Sequence, residues 1–141
     1  TQSEVAPNLT GEYCYDFGDY AEQTPLLKMC SLGHKTSFKP IKADGLRYHA
    51  AAPIISALRH AGLIDTIIYP SDEEYVFNKA KLFIQTEGFL PAPESAYSIA
   101  AAIDEAKKCK KTDERKTILF NVSGHGFMDM QGFAEKLKIG G

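Results

Sequence analysis

Apolar and polar positions recur along this chain at two different spacings, and each change of spacing marks a new element. After Pro53, the residues Ile54, Leu58 and Ala61 fall on one helical face; the proline takes the tolerated first turn and Gly62 stands where a helix stops. The run "IDTIIY" at 64–69 is short, β-branched and closed by Pro70, which predicts a strand. Ser71 and Glu74 have the spacing of a capping box, and the helix it opens turns Val76, Ala80 and Phe83 inward before Gly88 ends it. Beyond the extended piece "FLPAP", a third helix starts at Glu94 and Ser95 with Ala96, Ile99, Ala100 and Ile103 on one side. "TILFNV" at 117–122 is apolar without alternation, the pattern of a strand covered on both faces. Met130, Phe133, Ala134 and Leu137 give a last helix. Strand and helix in turn predict an α/β fold, a parallel sheet with flanking helices and right-handed crossovers.

Residues 1–44 do not share this order. They are thick with turn residues and aromatics, and Tyr13, Tyr15, Phe17 and Tyr20 need another surface to lie on. This part reads as an extended arm or loop region preceding an α/β portion over 45–141.

Composition narrows the function classes. The 141 residues suit one domain, and 44% hydrophobic with 24% charged residues is ordinary for a soluble globular chain. Sixteen basic against eighteen acidic residues, net charge −2, leave no footprint for nucleic acid or an anionic membrane. The run "KKCKKTDERK" from Lys107 is broken by Asp113 and Glu114 and reads as a solvated helix end. Cys14, Cys30 and Cys109 lie far apart without C-x-x-C spacing, which speaks for reduced thiols in a cytoplasmic protein and against a disulfide framework or zinc site. His34, His49 and His60 form no metal-binding pair, so no metal is expected. The stretch "AAAPIISAL" is too short to cross a bilayer and is soon followed by Arg59, and no signal peptide is present, so no membrane association is expected.

Two polar turns follow the second and third extended pieces, where ligands sit in α/β proteins. The first carries Glu94, whose plain explanation is a carboxylate favouring a helix N-terminus. The second is "SGHG" at 123–126. A hydrolase elbow would have glycine two residues before the serine, and Asn121 stands there, so Ser123 is not a nucleophile of that type. A glycine-shaped tight turn and a ligand-binding turn remain equally open for it. Arg47 in "DGLRYHAAAP" could grip a carboxylate or phosphate, although an exposed loop arginine is the commoner case. There is no Walker loop and no G-x-G-x-x-G.

The segments "TPLLKMCSLGH", "DGLRYHAAAP", "TEGFLPAPESAYSIAAAI" and "ILFNVSGHGFMDM" resemble, in order from about Tyr15 to the end, the carboxyl-terminal part of tryptophan synthase beta chains. The likeness is to the beta-like, second-type branch, and its most specific pieces are GLRYH, EG-x-x-PAPES and N-x-SGHG. The resemblance implies part of the large domain of a fold type II pyridoxal 5'-phosphate enzyme. Such an enzyme is a lyase of tryptophan biosynthesis that replaces the β-hydroxyl of L-serine, or the phosphate of O-phosphoserine, with indole. It implies that Ser123 hydrogen-bonds the cofactor's pyridine nitrogen, that Glu94 lies beside the ring, and that Gly124 and Gly126 let the backbone come close. A neutral hydroxyl does not hold a proton on that nitrogen as an aspartate would, which moderates the ring as an electron sink. Arg47 falls in the substrate or closure loop, where main-branch enzymes have an aspartate, and His125 replaces the arginine of their G-R-G; both agree with the second branch. The family's Schiff-base lysine, catalytic glutamate and phosphate-binding loop lie upstream of the matched region.

The expectation is therefore a carboxyl-terminal fragment with no catalytic residue of its own, inactive alone, whose partner is the remainder of the same enzyme. The parent is expected to be a cytoplasmic homodimer, with association to an alpha subunit left open by the two departures. The alternative is a stand-alone α/β module that binds a small ligand or regulates without catalysis.

Overall fold

The computed structural model describes residues 1–138. In chain order the elements are β1 (Gln2–Ser3), β2 (Glu12–Phe17), β3 (Leu26–Ser31), α1 (Pro53–His60), β4 (Ile68–Tyr69), α2 (Glu74–Glu87), α3 (Pro93–Thr112) and α4 (Met130–Leu137). The chain is mixed α/β: β1 and β4 pair in parallel, β2 and β3 antiparallel, and the rest of the regular structure is helical. It forms two compact units. One comprises Gln2–Pro40 and Gly45–Ser71, the other Thr1, Ile41–Asp44 and the described residues from Asp72 onward.

The first unit holds all the strands. The segment expected as an unpaired arm contains a hairpin, in register from Glu12 opposite Ser31 to Phe17 opposite Leu26. Its connection is ordered by polar side chains: the Gly18 amide donates to Thr24 Oγ1 at 2.7 Å, and the Asp19 carboxylate accepts from the amides of Gln23 and Thr24. β3 is carried further by Leu32, whose N–H donates to His49 O at 2.8 Å, and by Ala51, whose N–H donates to Cys30 O at 3.0 Å. Asn8 ties the same stretch down by donating to the carbonyls of Tyr48 and Ala50.

Two expectations are corrected within this unit. The strand read at 64–69 is a parallel pair only at Ile68 and Tyr69, because its partner β1 offers two residues and the ladder can be no longer than its shorter strand. The apolar stripe of α1 is not covered: Ile54 is 76% exposed, while Ser56, with its hydroxyl bonded to Ala51 O at 3.1 Å, is the buried position.

In the second unit α2 and α3 lie against each other, with α4 packed on α2. Val76, Phe77 and Ala80 meet Ala96, Tyr97, Ile99, Ala100 and Phe133 in a core without solvent exposure of note, and the rings of Phe77 and Phe133 stand 4.8 Å apart. Val76, Ala80, Ala96, Ile99, Ala100 and Phe133 are positions the sequence periodicity picks out; Phe77 and Tyr97 join them, whereas Phe83 and Ile103 are half-buried and Met130 is 61% exposed. The capping box does not form. The residue preceding α2 is Glu73, in the left-handed region at φ 61°, and its backbone displaces Ser71 from the capping position. Glu73 instead turns its carboxylate inward to accept the amides of Lys42 and Ala43 at 2.8 and 3.0 Å. α2 stops at Gly88, φ 69°, as expected from the glycine.

Residues 117–122 form neither helix nor strand and join no ladder among the described residues, contrary to the strand read there. A strand of this composition is stable only with neighbours on its edges and apolar cover on its faces. Here Leu119 is 96% exposed and Phe120 38%.

Candidate functional site

The two polar turns singled out by sequence lie against each other in the helical unit. Pro93 begins α3 in the first-turn position, which its fixed φ and missing N–H favour, and Glu94 follows in the positive end of the helix dipole. Pro91 and Pro93 are both fully buried and fix the path of the chain into the helix.

The "SGHG" turn is fastened to that entry at both ends. At the rear, Pro91 bridges to His125, and the Gly126 N–H donates to Leu90 O at 2.8 Å. A β-carbon on Gly126 would stand 2.5 Å from Pro91 O, so only glycine fits there. At the front, the buried Ser95 hydroxyl donates to Ser123 O at 2.6 Å and accepts the Ser123 N–H at 3.0 Å. Ser98, one helical turn on, donates to Asn121 O at 2.6 Å. Gly124, at φ 71°, turns the chain between the two anchor points, and its missing β-carbon would lie 3.3 Å from Ala92 Cβ. His125 Nδ1 accepts the Phe127 N–H at 3.3 Å and so caps the short turn Gly126–Asp129.

Of the residues chosen from sequence, the fold brings Glu94, Ser123 and Gly124 into one locality, with Glu94 half-buried and Ser123 exposed. Arg47 belongs to the strand-bearing unit, where it is half-buried and donates to Phe38 O at 3.2 Å. Sequence reasoning missed Ser95 and Ser98. Their signal is two serines at i and i+3 just inside a helix, where serine is a poor helix former unless its hydroxyl has another use.

The chemistry of this locality is that of a neutral polar wall. It presents a serine hydroxyl, able to donate or accept, on a backbone whose own polar groups are satisfied, with a carboxylate near a helix N-terminus beside it. A planar heteroaromatic ring with an acceptor nitrogen fits such a wall, because the donor is uncharged and the adjacent glycine removes the nearest side chain. Among the described residues, no group of three or more histidines, cysteines or carboxylates could hold a metal ion, and no helix is long and apolar enough to cross a membrane.

No family model matches the chain. Curated relatives do, along nearly all of it. Tryptophan synthase beta chain 2 of Aquifex aeolicus is 53% identical over 137 residues, 96% of this chain and 31% of the relative. The proteins of the same name from Methanosarcina acetivorans and Pyrococcus furiosus are 54% and 48% identical over 94% and 97% of this chain, in each case 30% of the relative. Fold and likeness together relate the chain to the fold type II pyridoxal-phosphate enzymes, the class to which these relatives belong. Within that class it is a homologue of tryptophan synthase beta chains of the second type, and it spans about 30% of the length of the curated relatives it matches.

Proposed function

We propose that this chain is the carboxyl-terminal part of a pyridoxal-phosphate-dependent β-replacement lyase, joining indole to the β-carbon of L-serine or O-phosphoserine to give L-tryptophan. The observation that supports the reading is the locking together of "PAPES" and "NVSGHG": the Ser95 hydroxyl, next along the chain from Glu94, is bonded to the backbone of Ser123, and Gly126 N–H to Leu90 O. When bound, pyridoxal phosphate supplies the electron sink that lets the β-substituent of the amino acid leave. The residues of this chain would form one wall around it. Ser123 offers a hydroxyl to the pyridine nitrogen without fixing a proton there, Gly124 leaves room for the ring edge, and Glu94 stands beside the ring. Arg47, from the other unit, would serve the substrate or closure loop by pairing with a carboxylate or phosphate.

The segment bearing the Schiff-base lysine is not in this sequence, so the chain by itself is inactive on this reading. Its partner is the remainder of the same enzyme, in a cytoplasmic homodimer; no nucleic acid or membrane takes part.

The test is made in the full-length enzyme. Ser123→Asp, which would hold a proton on the ring nitrogen, should shift products from β-replacement toward transamination; an unchanged product ratio removes Ser123 from this role. The isolated chain mixed with pyridoxal phosphate and borohydride should give no stoichiometric adduct. A stable one would favour an independent binding module.

A further inference from the structure

Among the described residues no strand lies beside 117–122, yet the carbonyls of Asn121 and, just past the stretch, Ser123 are bonded, both to hydroxyls of α3. Serine side chains one helical turn apart thus act where a neighbouring strand's amides would. Ser98 has one hydroxyl proton, and its shorter contact is to Asn121 O, 2.6 Å against 2.9 Å to Ser95 O. Ser95 goes further. Its proton goes to Ser123 O, one of its lone pairs takes Ser123 N–H, and both partners therefore belong to a single residue. Ser95 is 4% exposed, whereas Ser123 faces outward.

This arrangement holds φ and ψ of Ser123 from one buried point. With the peptide groups on either side fixed, only χ1 of Ser123 is left to vary, and that leaves its hydroxyl oxygen three staggered positions. The Gly124 turn and the Gly126 bond to Leu90 O prevent the segment from pivoting about the clamp.

We infer that Ser95 is a positioning residue, whose paired hydrogen bonds to the Ser123 backbone aim the Ser123 hydroxyl at the cofactor's ring nitrogen. The inference rests on the role given to Ser123 above. A hydrogen bond to a ring nitrogen is directional and weakens steeply with misalignment, so a loosened backbone would lose it although the hydroxyl itself remained. Ser95 touches neither cofactor nor substrate and acts only through Ser123.

The test compares Ser95→Ala, Ser95→Cys, Ser123→Ala and the double variant Ser95→Ala/Ser123→Ala in the full-length enzyme loaded with pyridoxal phosphate. Ser95→Cys keeps the volume of the site in case the alanine variant folds poorly. Two quantities are read, amide hydrogen exchange across 120–126 and the pH dependence of the cofactor's absorption band. Both Ser95 variants should speed exchange at Ser123 by about fivefold or more, for loss of one or two backbone bonds. They should also move the band in the same direction as Ser123→Ala and by less, and the double variant should match Ser123→Ala. Ser95 variants with unchanged exchange, or with faster exchange but an unmoved band while Ser123→Ala moves it, would overturn the positioning role. An absorption band that ignores Ser123→Ala would instead overturn the role of Ser123, and with it this inference, even though the clamp would still register by exchange.

Discussion

Glu73 accepts the N–H of Ala43 at 3.0 Å in a place that neither residue shares with solvent, the two being 1% and 0% exposed. The second carboxylate oxygen accepts the Lys42 N–H at 2.8 Å and lies 3.5 Å from the Lys136 ammonium, while Tyr97 OH reaches the first at 3.5 Å. A buried carboxylate is tolerable only with its lone pairs occupied and a cation near, and both conditions hold. Glu73→Ala should therefore cost about 3–5 kcal/mol, since it strands two buried amides and takes the carboxylate from beside Lys136, which keeps its bond to Asp72 O. Glu73→Gln, which keeps the shape, should cost less, roughly 1.5–3 kcal/mol. Chemical denaturation measures both; a Glu73→Ala variant within 0.5 kcal/mol of the parent would show that the carboxylate does not hold the 41–44 segment.

The two glycines of "SGHG" are constrained for different reasons, and substitution should separate them. At Gly124 an alanine keeps the turn but must accept φ 71° and a 3.3 Å contact with Ala92 Cβ, a cost of about 1–2 kcal/mol. At Gly126 the added carbon meets a backbone oxygen at 2.5 Å and Leu90 Cγ at 2.8 Å, so the bond from Gly126 N–H to Leu90 O must open. Gly126→Ala should cost about 3 kcal/mol or more and release the protection of the Gly126 amide from exchange. Equal effects at the two positions would contradict this account.

The helical unit was legible because its signals are local. Val76, Ala80, Ala96, Ile99 and Ala100 repeat at the helical period and are buried where the period puts them. Gly88 ends α2, and α4 runs over the residues its pattern marks. What escaped depends on partners distant in sequence. Glu73 was invisible behind Ser71 and Glu74, whose spacing mimics a capping box, because its use is set by amides some thirty residues earlier. The hairpin was missed although "EYCYDF" alternates, with Tyr13, Tyr15 and Phe17 on one face; "LLKMCS" mixes apolar and polar residues on both of its faces, and the pairing is set by the partner strand and the Asp19 and Thr24 turn. "TILFNV" shows the reverse error. Its composition suits a covered strand, but composition cannot supply the neighbouring strands that a ladder needs. The rule that polar turns gather at strand ends pointed to Glu94 and Ser123, but no described strand leads into either turn; what joins them is the Ser95 clamp and the Gly126 bond to Leu90 O. The clamp was not legible, since a serine hydroxyl gives no sign in sequence of which carbonyl it will reach.

Leu119 offers a separate check on that uncovered segment. Its side chain is 96% exposed, so Leu119→Lys removes almost no buried area and should leave the unfolding midpoint of this chain within about 0.5 kcal/mol of the parent. An apolar, β-prone segment outside any ladder is also a template for pairing with another copy, which a lysine opposes by charge. Sedimentation of the isolated chain should then show less self-association in the variant at equal concentration. Unchanged association would place the contact elsewhere.

The hairpin carries its own dependence on pH. Asp16 accepts from Ser31 Oγ and from His34 Nδ1, the latter at 2.5 Å, and His34 Nε2 reaches Glu22 at 3.1 Å. Burial pushes the Asp16 carboxyl up, but the bonds from Ser31, His34 and the Phe17 amide outweigh it and hold its pKa below the ordinary value. The hydrogen bond to Asp16, then that to Glu22, raises the pKa of His34 against a smaller opposing effect of burial. A raised histidine stabilises fully below its unfolded pKa of about 6.5 and stops doing so as pH rises through its folded value. A lowered aspartate stabilises above its unfolded pKa of about 3.9 and stops as pH falls through its folded value. The strand-bearing unit should therefore be most stable between about pH 4 and 6.5, losing stability on the alkaline side through His34 and on the acid side through Asp16. His34→Gln should flatten the alkaline limb and spare most of the acid one, whereas Asp16→Asn should flatten the acid limb and shrink the alkaline one, because the histidine loses its stronger partner and keeps Glu22. Thermal melts of the three proteins from pH 3 to 9, followed by a probe in the hairpin, separate these cases. A parent whose midpoint does not fall between pH 6 and 9, or a His34→Gln variant that falls just as the parent does, would rule out the Asp16 and His34 pair as the source.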